Sequence, residues 1–309
     1  MSLEFSALEH RLLAEVANLE SDPTGAYNFR INGESHARVS TEQVKITPKK
    51  GKSGIDVTVK PNTKGESVHI PVIITDSGRH ELVYNDFYIG KGADVTIVAG
   101  CGIDNCGGED SQHDGVHTFH LGKGSRVKYV EKHLGSGAGT GGRILNPVTN
   151  IEQDADSVFE LETVQLGGVT RAVRTTTAKL AAGAKLHITE RILTSERQTA
   201  RTEFDVTLAG KDSAVEVVSR SVARNRSVQE FVSRVRGTAP CFGRVECDGI
   251  MLDKAVIRST PQISAENVDA TLTHEATIGK IAGEQLIKLQ TLGLTAEDAE
   301  NMIIQGFLG

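Results

Sequence analysis

Three side chains near the C-terminal end of the sequence could together bind a metal ion. Cys247 lies in the segment "RVECDGIML", and His274 and Glu275 are neighbours in "ATLTHEATIGKIAGEQL". A thiolate, an imidazole and a carboxylate are ligands that proteins use for zinc and iron. An ordinary polar boundary between two elements could contain the same residues, so the interpretation depends on the elements that carry them.

A second group of potential ligands lies in the segment "VAGCGIDNCGGEDSQHDGVHTFHLG". Its members are Cys101, Cys106, His113, Asp114, His117 and His120. This group could bind zinc or iron in a cupin-like or β-helix metalloenzyme that uses His113, His117 and His120 as ligands. The paired H-x-H of cupins is absent, however, and a polar loop between two strands is the other interpretation.

Several familiar site patterns are missing from the sequence. The cysteines form two pairs with C-x4-C and C-x5-C spacing, whereas structural zinc sites use C-x2-C. The glycine-rich segment 133–143 is not followed by the Gly-Lys-Ser/Thr of a phosphate-binding loop, and no dinucleotide fingerprint is present. Any use of ATP would therefore require a second protein that binds it.

Charge and hydropathy exclude other classes of function. The formal net charge is −6 and no long Lys/Arg block occurs, which argues against a nucleic-acid binder. The first twenty residues contain acidic side chains throughout, unlike a signal peptide. No window approaches the roughly 18–20 apolar residues of a membrane helix. We expect a soluble, cytoplasmic protein that binds neither nucleic acid nor a membrane.

Five segments of the central sequence share one pattern: an apolar residue, a turn rich in Gly or Asp, a small residue, then alternating apolar and polar positions. They begin 32, 30, 29 and 28 residues apart and comprise 89–100, 121–132, 151–162, 180–191 and 208–219. Alternation with period two predicts strands, and a recurring unit of this length predicts a solenoid. Because no helical pattern separates the repeats, we predict an all-β core that forms a β-solenoid, with a β-sandwich as the alternative.

Both ends of the sequence have helical periodicity. Apolar residues recur at Leu8, Leu12, Val16 and Leu19 near the start and at Ile278, Ile281, Leu286 and Leu289 near the end. Thr295 and Asp298 form a capping-box pattern that predicts a last helix, with Ala299, Met302 and Ile303 on one side. We therefore divide the chain into an N-terminal helical region (1–39), a β-helix core (40–265) and a C-terminal helical region (266–309).

The repeat length brings the first three candidate ligands into one neighbourhood. Cys247 and His274 are 27 residues apart, close to one late repeat, so a solenoid would place them on adjacent strands about 4.8 Å apart. Glu275 follows His274 directly, and successive strand residues point to opposite faces. The two can share a site only if the strand ends there or if the site lies at an interface with a second chain.

The same segments resemble a known family. "CDGIML" and "LTHEATIGKIAGEQLIKLQTLGLTAEDAENMIIQGFLG" resemble the C-terminal signature of the SufB/SufD proteins of the SUF iron–sulfur cluster assembly machinery. "AYNFRINGE", "HDGVHTFH" and "SRSVARNRSVQEF" are also similar to that family. The resemblance covers most of the chain, and the compact N-terminus resembles the short SufB-type form that works in a two-component scaffold and ATPase system.

The resemblance implies a fold and partners. The fold would be a right-handed parallel β-helix, with short α-helical N- and C-terminal regions, that pairs edge to edge with another β-helix. The C-terminal helices would dock an ABC-type ATPase of the SufC kind, which would supply the missing ATP site. With a single scaffold type we expect a homodimer. The chain would be a scaffold and not an enzyme.

The resemblance also implies roles for individual residues. Cys247 occupies the position of the family's interface cysteine, as a thiolate ligand or sulfur acceptor. His274 and Glu275 match the His-Glu of the SufB "E-H-E-A-T" motif, as a nitrogen ligand and as an oxygen ligand or base. SufD-type chains usually have Gly after the His, so Glu275 makes this chain SufB-like, whereas Thr273 replaces the first Glu. An iron–sulfur cluster would form transiently on these residues and pass to apo-proteins or carriers.

Overall fold

A computed structural model describes residues 4–21, 23–165 and 167–309 of the chain. In these ranges the helices are α1 (Ala7–Ala17), α2 (Gly283–Thr291) and α3 (Ala296–Leu308). The first ten strands are β1 (Ala26–Ile31), β2 (Glu34–Val39), β3 (Val44–Pro48), β4 (Gly54–Val59), β5 (Lys64–Ile74), β6 (His80–Ile89), β7 (Asp94–Asp104), β8 (Ser111–Leu121), β9 (Arg126–Ser136) and β10 (Arg143–Leu145). The remaining strands are β11 (Val148–Gln153), β12 (Val158–Gln165), β13 (Arg171–Leu180), β14 (Lys185–Thr194), β15 (Thr199–Leu208), β16 (Ser213–Ala223), β17 (Val228–Gly237), β18 (Cys241–Met251), β19 (Val256–Ala265) and β20 (Ala270–Gly279).

The strands form a parallel β-helix, as the repeats predicted. One sheet has the order β2-β1-β5-β7-β9-β12-β14-β16-β18-β20, and the other has the order β19-β17-β15-β13-β10-β8-β6-β4-β3, with β11 joining β8 and β13. From β5 onward the chain passes from one sheet to the other and returns to pair in parallel with the strand one turn earlier. The antiparallel β-sandwich alternative is therefore wrong. Antiparallel pairing is confined to β1–β2 and β3–β4 at the N-terminal end of the described sheets.

The recurring turn explains the sequence pattern of the repeats. At the corner after β6, Gly92 has a φ of 66°, and Asp156 has a φ of 61° at the corresponding corner before β12. Gly and Asp tolerate this left-handed conformation better than most residues. The next residue, Ala93 or Ser157, is fully buried under the turn, so only a small side chain fits there. The Gly/Asp-small pair thus marks a corner of the solenoid.

The interior between the two sheets, which we call the lumen, is filled by alternate side chains of each strand. Burial alternates residue by residue along β8 and β13, as expected for strands with one face inside and one face in solvent. Phe87 and Phe119 stack at one point in the lumen, with their ring centroids 4.3 Å apart. Most of the buried apolar side chains belong to a single continuous cluster inside the solenoid.

Helix α1 packs on the outside of the first sheet. Leu12 and Val16 are fully buried against β5 and β7, and the Ser6–Glu9 capping box fixes the helix start. Gly100 of β7 permits the close approach, because a Cβ atom there would lie 2.2 Å from the backbone oxygen of Val16. The predicted N-terminal helix is therefore present, and it covers one face of the solenoid.

The C-terminal helices lie beside the last turns. Thr295 caps α3 by accepting a hydrogen bond from the Asp298 amide at 3.1 Å, as predicted. The buried side of α3 consists of Ala299, Ile304 and Leu308. Met302, which we expected beside Ala299, is instead half exposed. All residues of α2 stay at least partly exposed. No described helix is long and apolar enough to cross a membrane.

The sheets extend beyond the range expected for the core. Strands β1 and β2 lie before residue 40, and β20 lies after residue 265. Strands β1 and β2 form an antiparallel hairpin, which the helical periodicity near the start of the sequence does not indicate. Strand β20 is the last strand of its sheet. Residues 1–3 and 22 of the expected N-terminal region, and residue 166 of the expected core, lie outside the described residues.

Candidate functional site

Cys247 points into the lumen from β18. It is 1% exposed, and its backbone is aligned with Ser219 of β16 on one side and Ala276 of β20 on the other. Burial raises the pKa of the thiol to about 11, and although the Ser259 hydroxyl acts in the opposite direction, the charge of Glu190 adds to the rise. The free thiol therefore stays protonated at neutral pH, and a bound metal would have to displace its proton.

His274 lies on the neighbouring strand and faces the same way. It is aligned with Val245, two residues before Cys247 on β18, so both side chains are on the lumen side of adjacent strands. Among the described residues, neither ring nitrogen of His274 has a hydrogen-bond partner, although both are shielded from solvent. Burial lowers the pKa of this imidazole. A neutral imidazole with uncommitted nitrogens is available as a metal ligand.

Glu275 points away from these two residues. It is aligned with Glu246 on the outer face, and its side chain is 64% exposed. Its Oε2 atom lies 3.3 Å from Nη2 of Arg244, which also donates to Glu246 at 2.8 Å. Because β20 continues to Gly279, the strand does not end at Glu275. Within one chain, Cys247 and His274 face the lumen from adjacent strands, two register positions apart, whereas Glu275 faces outward.

Cys247 is the last polar member of a row of buried side chains that runs along the lumen. We call this set the polar row; backbone alignment of successive strands in one sheet gives its members as Glu131, Thr163, Glu190, Ser219 and Cys247. All five are buried. Charged and hydroxyl groups are costly inside a protein unless they have partners, so the row needs hydrogen-bonding groups from the opposite sheet.

Arg174 supplies the main partner for the far end of the polar row. It extends from β13 across the lumen to donate a hydrogen bond to Glu131, and its Nη2 atom lies 3.1 Å from Nδ1 of His133. Burial alone would raise the pKa of Glu131, but the charge of Arg174, with lesser contributions from nearby histidines, lowers it overall. The pair is a buried, hydrogen-bonded salt bridge that joins the two sheets.

Glu190 occupies the middle of the polar row. Its two oxygens accept hydrogen bonds from the hydroxyls of Thr202 and Ser219, each at 2.8 Å. Burial raises the pKa of Glu190, although Arg174 and the two hydroxyls oppose the rise. Ser219 therefore lies between this carboxyl group and Cys247, and its hydroxyl proton is directed to Glu190.

The three histidines of the alternative metal set do not meet. His113 and His117 point into the lumen, whereas His120 lies on the outer face, stacked on Tyr88 and 2.9 Å from Glu152. His120 lies three positions after His117 on the same strand, and an odd offset sends two side chains of a regular strand to opposite faces. In the described ranges, no group of three or more His, Cys, Asp or Glu side chains is already arranged to hold a metal ion.

The cysteines and Asp114 of that segment are also separated. Cys101 is buried in β7, whereas Cys106 is exposed with its thiol 3.2 Å from Oδ1 of Asp104. Asp114 accepts a hydrogen bond from Asn146 at 2.8 Å. Cys101 lies in β7 and Asp114 in β8, so the two cysteines and Asp114 share no ligand site.

Sequence reasoning missed the polar row. A usable signal existed, because Glu190, Ser219 and Cys247 are separated by 29 and 28 residues, which are the late repeat lengths. Arg174 gave no comparable signal, since it reaches Glu131 from the opposite sheet.

Comparison with known proteins adds a family to this geometry. A family profile described as "SUF system FeS cluster assembly, SufBD core domain" matches residues 73–307. The chain is 26% identical over 244 residues to an iron–sulfur cluster assembly SufBD family protein of Methanothermobacter thermautotrophicus, covering 77% of this chain but 57% of that relative. A protein of the same description from Pyrococcus horikoshii is 25% identical over 312 residues, covering 97% of this chain and 94% of the relative.

Proposed function

Because the chain belongs to the SufBD core-domain family of the SUF system, we propose that it is a scaffold on which iron–sulfur clusters are assembled. In this proposal it binds the cluster as cargo and is not itself an enzyme. The observation that carries the proposal is the position of Cys247 and His274 on the lumen side of adjacent strands, two register positions apart. The metalloenzyme alternative is not favoured, because His120 faces away from His113 and His117.

The proposed ligands divide into two kinds. Cys247 would bind as a thiolate after losing its proton, and His274 would bind as a neutral imidazole through one of its uncommitted nitrogens. Glu275 lies on the outer face, so we propose that it acts at the contact with a second copy of the chain. The transient cluster would then pass to apo-proteins or carrier proteins in the cytoplasm.

A homodimer at the last turns is part of the proposal. Strands β19 and β20 end their sheets, and an end strand offers unpaired backbone groups to another strand. Ile263 of β19 is half exposed, and Val268, between the two strands, is 98% exposed. Apolar side chains next to open strand edges support edge-to-edge association of two copies.

We further propose that a SufC-type ABC ATPase docks on the C-terminal helices. Ile287 of α2, Leu292 at its end and Met302 of α3 present apolar surface to solvent. Because α3 packs on β16, force applied to the helices would reach the strands that carry the polar row. ATP-driven movement of the docked subunits would in this way open or close the scaffold interface.

The test is anaerobic reconstitution with iron and sulfide, followed by visible absorption and analysis of iron and labile sulfide. We expect the wild-type chain to acquire both and Cys247→Ala to acquire neither. Cys241→Ala is the matched control, because Cys241 is also buried on β18 but lies six residues away. Equal iron and sulfide content in Cys247→Ala and wild type would rule out the assigned site.

A further inference from the structure

A small cavity lies in the lumen far from Cys247, around Gly115 of β8. Its volume is about 20 Å³, which is room for one water molecule or one ion. The lining includes His113, His117, Glu131 and Cys101. These residue types are unusual inside a β-helix and have the donor atoms that transition metals prefer.

Two imidazole nitrogens converge on the space that Gly115 leaves free. A Cβ atom built on Gly115 would lie 2.7 Å from Nε2 of His117 and 3.3 Å from Nε2 of His113. Any larger residue at this position would fill that space. The absence of a side chain therefore keeps open a point that both nitrogens face.

The hydrogen bonds of His113 leave Nε2 free to act as a ligand. Its Nδ1 atom lies 2.7 Å from Oε1 of Glu81, so Nδ1–H donates to the carboxylate and Nε2 carries the lone pair. A carboxylate behind a histidine in this way orients the ring and increases its basicity in metal sites. Glu81 thus holds His113 in a geometry suited to binding a cation.

His117 supplies a second, independent indication of a ligand. It is buried, and its Nδ1 atom has no hydrogen-bond partner in the part of the chain that the structure describes. Its Nε2 atom is 3.9 Å from Oε1 of Glu131, beyond hydrogen-bond distance. A buried imidazole with neither nitrogen hydrogen-bonded is costly, and a bound ion would remove part of that cost.

We propose that this cavity binds one divalent transition-metal ion through Nε2 of His113, Nε2 of His117 and Oε1 of Glu131. Two imidazoles and one carboxylate are a common ligand set for zinc and ferrous iron. Ligands at about 2.0–2.1 Å in tetrahedral geometry are about 3.3 Å apart. The 3.9 Å between Nε2 of His117 and Oε1 of Glu131 would therefore shorten by roughly 0.6 Å on binding.

Charge at the cavity is compatible with a cation. Glu131 is paired with Arg174, so that pair is neutral overall. Glu81 is likewise paired with Arg30, whose Nη2 atom lies 3.4 Å from its Oε2 atom, so this second pair is also neutral overall. Tyr129 donates to Oε1 of Glu131 at 3.1 Å and keeps that oxygen oriented towards the lumen.

The test is titration of the chelator-stripped, full-length chain with Co²⁺ under anaerobic conditions. A Cys247→Ser background removes the proposed cluster site, so that any stoichiometric binding belongs elsewhere. We expect one Co²⁺ per chain, with the visible ligand-field bands of nitrogen and oxygen coordination. His113→Ala and His117→Ala should each weaken binding at least tenfold, whereas His120→Ala should not, because His120 is on the outer face of the same strand.

Gly115→Ala is a second variant that keeps both histidines. Its added methyl group would occupy the converging point, so we expect the same loss of Co²⁺ binding with the far-ultraviolet circular dichroism of the parent. Failure to bind one Co²⁺, or equal binding by the parent, His117→Ala and Gly115→Ala, would overturn the proposal. Cluster reconstitution at Cys247 is measured separately, so neither hypothesis depends on the result for the other.

Discussion

At the scale of single residues, the polar row imposes a strict pairing requirement on the lumen. Arg174 neutralises Glu131, and both are nearly inaccessible to water. A buried ion pair adds little stability compared with apolar residues, but removal of one partner leaves an unpaired charge. The arrangement is therefore more sensitive to single substitutions than to paired ones.

Replacement of Arg174 alone should strongly destabilise the fold. We expect Arg174→Met to lower the free energy of unfolding by about 3–5 kcal/mol, because Glu131 would remain buried without its cation. Urea denaturation in the presence of a chelator measures the change. The double variant Arg174→Met/Glu131→Leu should recover most of the loss; a double variant no more stable than the single one would contradict this explanation.

His133 should make the protein less stable in acid. Burial lowers the pKa of His133 to about 3, compared with about 6.5 in an unfolded chain. Between these values the unfolded state takes up a proton that the native state does not, so stability falls as the pH falls, by up to about 1.4 kcal/mol per pH unit. Urea denaturation across that interval should give a shallower pH dependence for His133→Gln than for wild type. An equal pH dependence in His133→Gln and wild type would contradict this explanation.

At the scale of elements, the contact between α1 and the first sheet depends on a missing side chain. The backbone oxygen of Val16 and that of Lys132 both lie within 3 Å of the Cβ position on Gly100. Backbone atoms on both sides cannot move as easily as a flexible side chain can. The helix and β9 therefore confine this position together.

Substitution of Gly100 should loosen α1 without abolishing the solenoid. We expect Gly100→Ala to cost about 1–3 kcal/mol, because overpacking shifts backbone segments. Hydrogen exchange of the α1 amides should increase more than that of the strands. Gly279→Ala is the control, since a Cβ at Gly279 meets no atom within 4 Å. Equal exchange rates in the two variants would show that Gly100 does not control the docking of α1.

At the scale of the whole molecule, the two ends of the solenoid differ. The antiparallel pairs β1–β2 and β3–β4 end the sheets at the N-terminal end, whereas the parallel strands β19 and β20 end them at the other. The proposed homodimer uses the second end. A surface change there should affect association and leave the fold of each copy unchanged.

Val268→Lys provides that change. Because Val268 is 98% exposed, we expect the variant to keep the wild-type far-ultraviolet circular dichroism but to shift the chain towards monomer in sedimentation velocity. Val39→Lys is matched to it, since Val39 is an exposed valine on β2, at the opposite end of the solenoid. A dimer unaffected by Val268→Lys but disrupted by Val39→Lys would place the interface at the N-terminal end of the solenoid and contradict the proposal.

The sequence by itself determined the repeated strands of the core and the terminal helices, because these follow from periodicity and turn chemistry within a few residues. It also brought Cys247 and His274 to adjacent strands, since their separation is close to one repeat. Only the tertiary structure decided which face each side chain occupies. Glu275 and His120 turn outward because strand alternation continues through them. The alignment of Glu190 and Ser219 with Cys247 follows the repeat lengths once the solenoid is known. The reach of Arg174 across the lumen to Glu131 depends on the spacing of the two sheets, which no local pattern encodes.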